Sequence, residues 1–115
     1  MRFSFRCILT VFLLLMVIPA AATTSASELV RACEHALENG FYDIKGMLCT
    51  WYVTPCDCEQ AVKPGVPRVC LPPDIAVESL AVEVIDGIKA QEALMIMDAD
   101  IAAATVLSRH YPCPE

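Results

Sequence analysis

The chain is poor in the residues that most often build catalytic and phosphate-binding sites: of its 115 residues only two are histidine and four are glycine. No glycine-rich phosphate loop, Gly-x-Ser-x-Gly nucleophile turn, His-Glu-x-x-His zinc site or Cys-x-x-Cys-His haem attachment is present. His35 is expected on the solvent side of a helix. His110, beside Arg109, falls at a helix end that a cation complements. Glu92, Asp98 and Asp100 sit where a helix begins, an end that acidic residues stabilise. The sequence therefore implies no enzyme and no cofactor. Lys and Arg number eight against fourteen acidic residues and are scattered, which disfavours a nucleic-acid or anionic-membrane partner. Period-2 strand patterns and internal repeats are also missing.

The longest apolar run, Ile8 to Ile18, is about half of the roughly 20 residues a helix needs to cross a bilayer. Arg2 and Arg6 precede it, and Pro19 and Ala20-Ala21-Ala22 follow, which is the layout of a signal peptide. Residues 1–22 are expected to be removed by cleavage after Ala22, with Ala26 as the later alternative, leaving 23–115 as a single domain in the periplasm. Cys7 leaves with the leader. No cysteine begins the mature chain, so a lipid anchor is not expected. Losing two arginines and no acidic residue takes the formal net charge from −6 to −8. That charge suits a basic partner, although acidic surfaces commonly serve solubility alone.

Helical period dominates the rest. A first helix runs from about Ser27 to Asn39, with Ser25 and Glu28 in capping-box spacing and Gly40 as its stop. Leu29, Cys33, Ala36 and Leu37 share its inner face. A second helix starts after Asp43, and Ile44, Met47, Leu48 and Trp51 form an apolar stripe expected in the core. Thr54-Pro55 ends it. Residues 55–69 read as a loop stiffened by proline, with Pro64-Gly65 suited to a type II turn. A third helix over about 75–90 carries Val77, Leu80, Ala81, Val84, Ile85 and Ile88 on one face, with Gly87 weakening its last turn. The fourth starts between Glu92 and Asp98 and ends near His110. The expected fold is all-α, about four helices in two hairpins.

So small a domain buries only about 60–65% of its unfolded surface and leans on disulfides. If the first two helices form a hairpin turning near 40–43, Cys33 and Cys49 come level; Cys70 and Cys113 meet at the open end of the second hairpin. The expected pairing is Cys33–Cys49 and Cys70–Cys113, and the other pairings of these four stay open. Cys56-Asp57-Cys58 is unusual, because residues two apart close only a strained ring. A third structural bridge, half of a soft-metal site and a redox pair all remain open for Cys56 and Cys58.

Four ordered anchors carry a resemblance: Cys33; Cys49-Thr50-Trp51-Tyr52; Cys70-Leu71-Pro72-Pro73-Asp74 leading into a long helix; and Tyr111-Pro112-Cys113 after an Ala/Leu-rich helix. With the signal peptide, they make the chain resemble the Rap/Tai family of periplasmic immunity proteins, which neutralise peptidoglycan amidase effectors of type VI secretion. The resemblance implies a helical fold whose four anchor cysteines form disulfides. It also implies a non-catalytic inhibitor that occludes a toxic amidase, and it makes a homodimer plausible. Where family members usually carry a small residue stands Trp51, a proline (Pro55) replaces a glycine, and Gln91-Glu92 stands near the usual His-Pro. Cys56 and Cys58 are additional. Apart from Gln91-Glu92 these departures fall on the second helix and its exit loop, so they bear on partner choice more than on fold, and the loop 55–69 is the segment expected to fill the effector's substrate groove. Candidate contacts are Trp51 and, on the loop, Pro64, Gly65 and Arg68. The alternatives are a metal or thiol-redox accessory protein using Cys56 and Cys58, or a structural envelope protein without a toxin partner.

Overall fold

A computed structural model of the chain describes residues 23–55 and 64–114. The expected leader, Cys56 and Cys58 lie outside the described residues. Among the described residues five helices follow in order: α1 Ala26–Asn39, α2 Ile44–Val53, α3 Val77–Lys89, the single turn α4 Glu92–Met95, and α5 Ala99–His110. The fold is all-α, as the periodicity indicates. α1 packs against α2, α3 and α5, and α3 packs against α5.

Each end has a local cause. Ser25 caps α1, its Oγ accepting the Glu28 N–H at 3.3 Å, and Gly40 closes the helix with φ at 100°. Asp43 caps α2, its Oδ1 accepting the Gly46 N–H at 2.7 Å. The turn between them is tight. A β-carbon on Gly46 would lie 2.5 Å from the Phe41 backbone, so only glycine fits there.

The core is built from Leu29, Val30, Cys33 and Ala36 of α1, Cys49 and Val53 of α2, the Leu80–Ile88 face of α3, and Ala102, Ala103, Val106 and Leu107 of α5. Cys33 and Cys49 are bonded across α1 and α2, and Cys70 and Cys113 across the ends of the second hairpin; both pairs have their Cα atoms 4.9 Å apart. Beside the second bridge, the Cys70 N–H donates to the Tyr111 carbonyl at 3.0 Å, and the Tyr111 hydroxyl donates to Glu83 at 2.9 Å.

The last connection differs in detail from the periodicity. Instead of one helix starting between Glu92 and Asp98, α4 stops at Met95, and α5 begins at Ala99. Between them Asp98 is extended and pairs antiparallel with Ser25. The Met97 carbonyl accepts from the Ala26 N–H at 2.8 Å, and the Ala99 N–H donates to the Thr24 carbonyl at 2.9 Å. These two groups are spent on a distant segment, so the helix is interrupted there.

Gly87 also changes meaning. A β-carbon there would strike both Val106 methyl groups, Cγ2 at 2.7 Å, because the Val106 side chain of α5 lies against the α3 backbone at this point. Helix propensity alone favours Gly87→Ala by about 1 kcal/mol. The contact reverses the sign: Gly87→Ala is expected to destabilise the oxidised protein by about 1–3 kcal/mol, read as a lowered urea midpoint at constant slope.

Candidate functional site

α2 is apolar on nearly every side, so its orientation decides what it offers. Cys49 is turned inward by its bond to Cys33, and Gly46 and Val53 go inward with it. At 3.6 residues per turn, Met47 and Trp51 stand about 160° and 200° around the helix from Cys49, and Ile44 shares their side. They face water. Tyr42 in the preceding turn is 98% exposed, Ile44 87%, Trp51 78% and Met47 63%.

The stripe expected in the core is thus the outer face of α2, with Leu48 half-buried at its edge. The inner face is small, and the large residues are outside. Leu37, also expected inside, is exposed in the last turn of α1. Tyr42, Ile44 and Met47 were not among the expected contacts, yet a signal existed. Cys49 and Trp51 are two residues apart, so on a helix they cannot both face the same core.

The turn that presents Tyr42 is braced from both sides. Phe41 packs on the core. His35, expected to be only solvated, is partly exposed and bonds through Nε2 to Asp43 Oδ2 at 2.6 Å. The Asn39 amide donates to the His35 carbonyl at 3.1 Å. The Gly46 N–H, then the His35 bond, hold the Asp43 carboxyl below its ordinary value. Asp43, Glu38 and Lys45 are exposed around this end of the hairpin.

Trp51 stands on this outer face. The other expected contacts lie on the loop: Pro64 and Gly65 form a turn with Gly65 at φ 84°, and Pro64, Gly65 and Arg68 are exposed. Val66 and Val69 fasten that limb to the core. Among the described residues no three His, Cys, Asp or Glu side chains are placed to hold a metal ion. No described helix is long and apolar enough to cross a membrane. What the arrangement offers is a binding surface. Tryptophan, tyrosine and methionine are the residues enriched at interface centres, and here they share a helix about 15 Å long with its entry turn.

Two measurements check this geometry. Trp51→Ala is expected to change stability by less than about 0.5 kcal/mol, because the side chain leaves no cavity, and the fluorescence of this sole tryptophan should be fully open to acrylamide. Asp43 has its carboxyl lowered in the fold, so its contribution is present above the unfolded value near 3.8 and is lost as pH falls below it. Acid unfolding followed by circular dichroism should show that loss, and Asp43→Asn should flatten it.

Residues 25–113 match the family model of Rap1a immunity proteins. No curated protein and no solved structure matches the chain.

Proposed function

The chain belongs to the Rap1a immunity protein family, and on that premise we propose that it is a periplasmic inhibitor of a toxic peptidoglycan amidase delivered by type VI secretion. Membership implies a protein effector as the partner. The observation that carries the proposal is the outer face of α2, where Tyr42, Ile44, Met47 and Trp51 stand together in water.

These four side chains offer on the order of 600 Å² of apolar surface, against roughly 800 Å² per partner in a standard interface. That is enough for the buried centre, with a polar rim supplying the rest. A second copy is the weaker occupant, because two chains of the same strongly acidic charge repel. A basic surface beside the effector's substrate cleft fits both the apolar centre and the charge. Docked there, the inhibitor blocks the cleft by bulk and performs no chemistry of its own. The 55–69 loop follows α2 in sequence, and its exposed Pro64, Gly65 and Arg68 are further candidate contacts.

The test is a pull-down with mature, oxidised protein from envelope and secreted fractions, followed by an activity assay of whatever hydrolase is recovered. An amidase should be recovered and should lose its activity at a stoichiometric ratio. Trp51→Glu should weaken inhibition by about 30-fold or more while the protein stays folded. An effector inhibited equally by the variant would remove α2 from the interface, and the absence of any inhibited hydrolase would remove the amidase.

A further inference from the structure

We propose that export processing cuts between Ala22 and Thr23, and that the amine it frees becomes a structural group of the fold. The inference rests on export, one part of the function proposed above, and is independent of the partner. The leader offers two small-residue sites, after Ala22 and after Ala26, and the contacts of residues 23–26 separate them.

Ala26 is fully buried, and its N–H donates to the Met97 carbonyl at 2.8 Å. Ser25 pairs with Asp98 and caps α1. The Thr24 carbonyl accepts the Ala99 N–H at 2.9 Å, and the Thr23 hydroxyl donates to Asp98 Oδ1 at 3.1 Å. A cut after Ala26 would leave Ser27 first, discarding the cap, both backbone bonds and a core residue. A cut after Ala22 keeps them all.

Hydrolysis breaks the Ala22–Thr23 amide. Water supplies a hydroxyl to the Ala22 carbonyl carbon and a proton to the Thr23 nitrogen, and the proton lost as the new Ala22 carboxylic acid ionises balances the one that makes the amine an ammonium at neutral pH. Within one residue that nitrogen lies less than about 4 Å from Oγ1. The new cation therefore stands on the order of 3–7 Å from the Asp98 carboxylate, within range of an ion pair. In the precursor the same nitrogen is a neutral amide, so this charge reinforces the clasp between the start of α1 and the start of α5 only after processing.

Mass spectrometry of the protein purified from the envelope should find Thr23 as its first residue. A chain starting at Ser27, or one that keeps its leader, would overturn the assignment. Three oxidised forms then test the consequence: one starting at Thr23, one carrying Ala22 as well, and one starting at Ser27. The Ala22 extension should lower Tm by about 1–5 °C, and Asp98→Asn should abolish that difference. The Ser27 form should melt on the order of 10 °C lower. Equal Tm for the Thr23 and Ala22 forms would overturn the role of the amine; equal Tm for the Thr23 and Ser27 forms would overturn the clasp. Failure of the amidase proposal would leave the Thr23 terminus in place, whereas failure of export would leave the leader attached.

Discussion

One covalent bond, between Cys33 on α1 and Cys49 on α2, sets the rotation of α2 and through it the character of the surface. An α-helix distributes its side chains at fixed angles, so once Cys49 points inward, Met47 and Trp51 have no choice but to point out. The usual logic of a surface helix, large apolar residues inside and polar ones outside, is inverted here. α2 buries glycine, cysteine and one valine, and displays isoleucine, methionine and tryptophan. The small inner face lets the helix lie close to α1 behind a turn that only glycine at position 46 permits. What the core gives up in apolar burial on this helix is available to a partner.

The other half of the molecule is held by closeness. α5 is rich in alanine on its buried side, and Gly87 on α3 lets Val106 come against the helix backbone. Such an approach needs no large side chains, and Leu80, Val84 and Ile88 complete the core that α3 shares with α1 and α5. The two hairpins are then tied by the short antiparallel pairing of Thr24–Ala26 with Met97–Ala99. Both hairpins thus converge on α1 and α3, each of which touches all the other described helices.

Much of this was legible in the sequence. Local chemistry announced the caps at Ser25 and Asp43, the stop at Gly40, and the buried face of α3, because each depends on residues within one or two turns. Three features were not legible from local periodicity and propensity, for one physical reason. The direction of α2, the break at Ile96–Asp98 and the role of Gly87 are each decided by a segment far away in sequence. Apolar residues surround α2, so periodicity finds a stripe without saying which stripe is inside; only coupling Cys49 to Cys33 resolves it. The break at Asp98 answers to Thr24 and Ala26. Gly87 answers to Val106, and helix propensity sees only its local cost.

The fastening of the chain ends has a consequence for survival. The Thr24 carbonyl accepts from the Ala99 N–H and the Ala26 N–H donates to the Met97 carbonyl, and at the other end Cys113 is bonded to Cys70 beside the Tyr111 carbonyl. Peptidases that work inward from a terminus need a few residues of loose, extended chain to grip, and chain ends are ordinarily where they find it. Residues 24–26 and 113 are fastened in this way, which suits an immunity protein that must persist unbound until its effector arrives.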